Sequence, residues 1–162
     1  MYAIQVRTGS EENFINRINT YHFDLKIYFP KRSLKIRKEG KVSIQNQPVF
    51  SGYVFAESEI DNENKWFIKQ TAGFIRFLKS NYEITPLSRK DTEIVNHFIR
   101  NKGISKVKFN EQNKIVVLEG CLKGLEGNIV KVNKRKGRAK IKLDLYDDSF
   151  TVDLAFEVIG AA

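Results

Sequence analysis

Hydrophobic spacing changes character once along this 162-residue chain, near residue 101, and that change limits the fold more than any motif. Before it, strand and helix periods take turns; after it, only the two-residue period of strands remains. Residues 2–6 alternate as a strand. Thr8 and Ser10 are cap candidates for the helix that follows, and Glu11 and Glu12 suit its positive end. Phe14, Ile15, Ile18 and Tyr21 give that helix one apolar face. Asp24 to Ile36 is extended, and Lys38-Glu39-Gly40-Lys41 is expected at a hairpin tip. Residues 48–57 make a strand, and Asp61-Asn62-Glu63 caps a short helix through Trp66, Phe67 and Gln70. Phe74 to Leu78 is a strand ended by Ser80-Asn81. Ser88 with Asp91 resembles a capping box for a helix with Ile94, Val95, Phe98 and Ile99 on one face. This order predicts an α+β fold: a mixed sheet with helices on one side, of the split-βαβ or ferredoxin-like kind.

Both periods vanish between Asn101 and Asn113, so residues 102–113 read as a linker on which Val107 and Phe109 could dock. Residues 1–101 form one predicted domain and 114–162 a second. The second opens with the strand Lys114 to Leu118. A turn with Gly120, Gly124 and Gly127 follows. Ile129, Val130 and Val132 lead to the tip Asn133-Lys134-Arg135-Lys136-Gly137, and Ala139, Ile141 and Leu143 alternate with lysines on the return. Two further short strands, Phe150–Leu154 and Phe156–Ile159, complete an expected small β-barrel.

Pro48 to Phe55 is the densest aromatic and β-branched stretch, which suits a pleated, packed strand. Tyr53 and Phe55 share a face with Val49 and Ser51, while Phe50, Gly52 and Val54 take the other. Both faces are largely apolar. The stretch is either a central strand buried on both sides, or one that shows Tyr53 and Phe55 as an exposed docking patch. Gly52 marks a bulge or the close approach of another backbone.

The net charge of +9 favours polyanionic partners. Its distribution says more. Of the eight basic residues after Lys114, seven fall between Lys131 and Lys142, whereas five of the seven acidic ones lie between Asp144 and Glu157. No apolar run approaches the ~20 residues of a membrane span, and no signal peptide is read at the N-terminus. The lone cysteine, Cys121, excludes an internal disulfide and suits a reducing cytoplasm. Enzyme chemistry finds little support. His22 and His97 are isolated, Cys121 lacks a metal-site partner, and the glycines around Gly124 lack the lysine and hydroxyl of a phosphate loop. No catalytic residue, metal or cofactor is expected.

Three segments carry a resemblance. Met1-Tyr2-Ala3-Ile4-Gln5-Val6-Arg7-Thr8-Gly9, then Phe50-Ser51-Gly52-Tyr53-Val54-Phe55 with the later Trp66, look like the N-terminal (NGN) domain of NusG-type transcription elongation factors. Ser51 stands where that family commonly has proline. Glu119 to Val130 looks like the family's KOW motif, with Gly127 at its fixed glycine. The resemblance covers nearly the whole chain in the right order. The lysine-arginine hairpin is most like that of the LoaP type of specialised antiterminator.

The resemblance implies an NGN domain that binds the clamp helices of bacterial RNA polymerase through an apolar pocket containing Tyr53 and Phe55. It implies an SH3-like KOW barrel that meets a ribosomal protein, a termination factor or nucleic acid. On the LoaP likeness, Lys131, Lys134, Arg135, Lys136, Arg138, Lys140 and Lys142 would bind a hairpin in nascent leader RNA; otherwise they are a solvated hairpin that blunts aggregation. Lys31, Arg32, Lys35, Arg37, Lys38 and Lys41 would lie near DNA in the elongation complex, or are likewise solvated. The expected protein is a cytoplasmic monomer with no membrane partner that suppresses pausing and termination. The alternatives are a general NusG-like factor or an adaptor coupling transcription to translation. A KOW domain refolded into helices is not expected, because residues 129–132 and 139–143 alternate.

Overall fold

The computed structural model describes residues 1–21, 24–78, 84–145 and 148–160. The first half of the chain runs β1 (Tyr2–Val6), α1 (Glu11–Tyr21), β2 (Ile27–Tyr28), β3 (Lys31–Lys38), β4 (Lys41–Pro48) and β5 (Tyr53–Ala56). Next come α2 (Asn62–Gln70), β6 (Phe74–Phe77) and α3 (Arg89–Arg100). The remainder is β7 (Ser105–Phe109), β8 (Ile115–Glu119), a 3-10 turn (Glu126–Asn128), β9 (Ile129–Asn133), β10 (Arg138–Leu145) and β11 (Asp148–Val158). The fold is α+β. Contacts divide it into two compact units, Met1–Pro30 with Phe50–Val95, and Lys31–Val49 with Asn96–Ala162.

In the first unit four strands pair in the order β2-β5-β1-β6. Every pairing is antiparallel, so the expected mixed sheet is corrected. Ile4, Val6, Val54, Ala56 and Phe77 from this sheet close a core with Phe14 and Ile18 of α1 and Ile68 of α2. The expected caps are present on α2, where Asp61 accepts from Asn64 N at 2.7 Å, and on α3, where Ser88 Oγ accepts from Asp91 N at 3.1 Å. The start of α1 is built differently. Buried Glu11 accepts from Gly9 N at 2.9 Å and from Gly52 N at 2.9 Å, tying the loop before β5 to the helix. The expected strand over 48–57 shortens to β5, because Gly52 turns the chain at φ +84°. A Cβ there would meet Thr8 Oγ1 at 3.0 Å and the Val6 carbonyl at 3.4 Å, the close backbone approach that Gly52 announced.

In the second unit five strands pair in the order β8-β7-β11-β10-β9, with β7 parallel to β11 and the other neighbours antiparallel. Two expectations are corrected here. Residues 102–113 do not form a plain linker, since they contain β7, with Ser105 and Val107 buried. The two short strands expected over 150–159 are one, β11, which pairs with β10 up to Ala155 and with β7 from Phe156. Ser105 is the hinge of the local packing. Its hydroxyl accepts from Leu122 N at 3.0 Å, and a Cβ on Gly120 would fall 2.5 Å from its Cα. The strands β3 and β4 form a separate hairpin in this unit. Its tip places Glu39 at φ 52° and Gly40 at φ 76°, the left-handed pair a two-residue type I′ turn needs. His22, and the strand end expected at Ser80-Asn81, lie outside the described residues.

Candidate nucleic-acid interface

Strand β5 carries the two residues expected to meet a protein partner. Phe55 is 0% exposed and Tyr53 9%, and all four β5 side chains are buried. The strand is therefore covered on both faces, and the exposed-patch reading of Tyr53 and Phe55 is corrected. Phe55 packs edge-on against Phe50 with ring centroids 5.6 Å apart.

The basic residues of the second unit separate by what their side chains touch. Two arginines hold the β3–β4 hairpin in place. Arg32 Nε donates to the Asp153 carbonyl at 2.7 Å, and its Nη1 donates to the Pro48 carbonyl. Burial holds the Arg32 guanidinium below its ordinary pKa, with nearby Asp153 opposing. Arg138 Nη2 donates to the Lys35 carbonyl at 3.0 Å, and its Nε is buried without a partner. Lys35 Nζ pairs with Glu157 at 3.0 Å. Half-buried Arg32 thus spends its Nε and Nη1 donors on backbone carbonyls of its own unit.

Several of the unit's cations gather in two open clefts. One, of about 940 Å³, lies between the β3–β4 hairpin and the β9–β10 turn. Lys35 and Arg37 line one wall, and Lys134, Arg135, Lys136 and Arg138 the other. The turn is set by Asn133, whose Oδ1 accepts from Lys136 N at 3.0 Å. The second cleft, of about 800 Å³, holds Lys131, Lys134 and Lys114 around Phe109. Lys134 Nζ lies 4.0 Å from the centre of the Phe109 ring and donates to Asn113 Oδ1. Lys134 and Asn133 border both clefts.

Lys140 and Lys142 stand outside both clefts, on the face of β10 opposite buried Ala139, Ile141 and Leu143. Lys140 sits directly across from Lys131 on one side and Asp153 on the other. Lys38 and Lys41 are exposed at the hairpin tip, and Lys31 lies at its base. The charge pattern did not mark Val42, Phe156 or Val158, which also line the first cleft. An apolar residue in the otherwise polar stretch Lys41-Val42-Ser43 was the available signal for Val42.

His97 donates through Nε2–H to the Cys121 carbonyl at 2.6 Å, a structural use of the ring. Among the described residues no group of three His, Cys, Asp or Glu could hold a metal. No described helix is long and apolar enough to cross a membrane.

Residues 1–96 match the family described as "Transcription termination factor nusG". The chain is 27% identical to the transcription termination/antitermination protein NusG of Synechocystis, over 96% of this chain and 85% of that one. It is 26% identical to the NusG of Campylobacter jejuni, over 98% and 94%, and 23% identical to that of Thermus thermophilus, over 99% and 97%. In three dimensions it is similar to a solved structure concerned with domain interaction in Thermotoga maritima NusG. The TM-score is 0.63 at 18% identity, covering 95% of this chain and 92% of that one.

Proposed function

This chain belongs to the NusG family of transcription termination and antitermination factors, proteins that regulate transcription rather than enzymes, and from that premise we propose how it acts. Residues 1–101, as an NGN domain, bind the clamp helices of bacterial RNA polymerase on the β5 face that carries Tyr53 and Phe55. Both are buried in the free chain, so their part in that binding is to hold the face in shape. The C-terminal KOW-type domain binds a hairpin in nascent leader RNA, in the manner of the LoaP antiterminators, and the bound protein suppresses pausing and termination.

The observation that carries this reading is the gathering of Lys134, Arg135 and Lys136 around one turn that borders two clefts. Lysine and arginine there neutralise phosphates and release counterions. The register adds support. Lys131 and Lys140 face each other on neighbouring strands and add two positive charges beside the turn, with Asp153 across from Lys140 on its other side. Lys38 and Lys41, exposed at the other hairpin's tip, are its cations best placed to meet DNA.

Titration of a leader RNA hairpin across salt concentrations tests the proposal. Affinity falls steeply with salt, and Arg135→Ala with Lys136→Ala lowers the log–log slope by about 1.5 to 2. Binding unchanged in that double variant contradicts it. A protein partner in place of RNA is the second reading, favoured by the exposed Leu118 and Val130 on the C-terminal sheet. Leu118→Ser with Val130→Ser would then abolish ribosomal-protein binding and leave the RNA titration unmoved.

A further inference from the structure

Two basic stretches far apart in sequence wall a single groove. Lys35 and Arg37 of β3 stand across from Lys134, Arg135 and Lys136 of the β9–β10 turn. Among the described residues, Glu157 is the only acidic one in its lining, and Lys35 already neutralises it at 3.0 Å. Arg138 fixes the walls by donating to the Lys35 carbonyl at 3.0 Å. The floor is different in chemistry. It includes Val42 and Val158, which are 56% and 55% exposed, beside Ile36 and Phe156. Cations on the rims with the exposed aliphatic side chains of Val42 and Val158 between them suit a strand whose phosphates lie outward and whose bases pack inward on apolar surface, with Phe156 buried beneath. A duplex keeps its bases stacked inside and would leave this apolar floor uncovered.

We propose that this groove binds single-stranded RNA, the segment flanking the hairpin that engages the β9–β10 turn. The β3–β4 hairpin thus contacts RNA through Lys35, Arg37 and Val42. This rests on the RNA-binding reading for the hairpin itself but makes a separate demand, since the flank needs only the groove. Arg37 and Val42 stand opposite each other across the β3–β4 ladder and are both exposed, so replacing them leaves the core untouched.

The test is fluorescence anisotropy with the full chain and three RNAs: a blunt hairpin, the same hairpin with a single-stranded flank of about ten nucleotides, and the flank alone. The expected result is about tenfold tighter binding of the flanked hairpin than of the blunt one. Arg37→Glu with Val42→Asp removes that gain and leaves the blunt hairpin bound as before. Arg135→Glu, on the other wall, weakens all three. Circular dichroism of each variant checks that it folds, and Arg37→Ala alone provides a milder change with a partial loss. Equal binding of blunt and flanked hairpins by the unaltered protein overturns the groove. So does a gain that survives Arg37→Glu with Val42→Asp. If the flank binds through the groove while the blunt hairpin does not bind at all, the hairpin reading fails and the groove stands. If no RNA binds, both fail.

Discussion

Arg32 and Arg138 carry the charge of their lysine neighbours but spend it on backbone carbonyls, and this difference is measurable. Lysine offers a point charge to a phosphate as well as arginine does, but it cannot reproduce a fork that spans two carbonyls. Arg32→Lys is therefore expected to destabilise the second unit by about 1–3 kcal/mol in urea unfolding, the worth of a hydrogen bond from a charged group, while RNA affinity of the folded protein stays unchanged. Cys121 gives a second test. Burial raises its thiol above the ordinary value of 9.0, against an opposing hydrogen bond from Ser105. A group raised in the folded state contributes fully below its unfolded pKa and loses that contribution as pH rises. The urea midpoint of the unaltered chain should thus fall more steeply above pH 9 than that of Cys121→Ala, with parallel behaviour near pH 7. Equal alkaline slopes would refute the burial argument. Glu11 shows what sequence could not reveal. Acid near a helix start was legible, but its bond to Gly52 N depends on a loop 41 residues away.

At the scale of elements, legibility followed the length of the pattern and the locality of its partner. The caps at Asp61 and Ser88 and the turn at Glu39-Gly40 were readable because each is settled within four residues. Strand β7 was not. Its inward positions are only Ser105 and Val107, and the strand it lies parallel to, β11, is about fifty residues away. Strand β11 was read as two because Leu154, Ala155 and Phe156 are buried in succession, which breaks the alternation where the strand changes partner from β10 to β7. Of the candidate site, the charges were legible and their sorting only in part: strand alternation puts Arg32 on the face of Leu34 and Ile36 and Arg37 on the other, but not the carbonyls that Arg32 reaches. The β3–β4 turn yields a prediction at this scale. Glu39 holds φ 52°, a region that asparagine tolerates better than glutamate. Glu39→Asn should raise the thermal midpoint, with a gain of up to about 1 kcal/mol, and a lowered midpoint would mean the turn is not of this type.

At the scale of the whole molecule, a chain of net charge +9 joins a NusG-type N-terminal region to a C-terminal sheet whose cations crowd one turn. The two ends make different demands. On the proposed function, polymerase binding at the apolar β5 face is expected to tolerate salt, whereas RNA binding is not. Raising salt from 50 to 200 mM is accordingly expected to weaken RNA binding by well over tenfold while core-polymerase binding changes little. The most direct test of the account is terminator read-through by purified bacterial RNA polymerase, with and without this protein, on templates with and without a leader hairpin. The account predicts read-through that requires the hairpin, is lost in Tyr53→Ala and is impaired by Arg135→Ala with Lys136→Ala. Equal read-through on every template, or none on any, would contradict it.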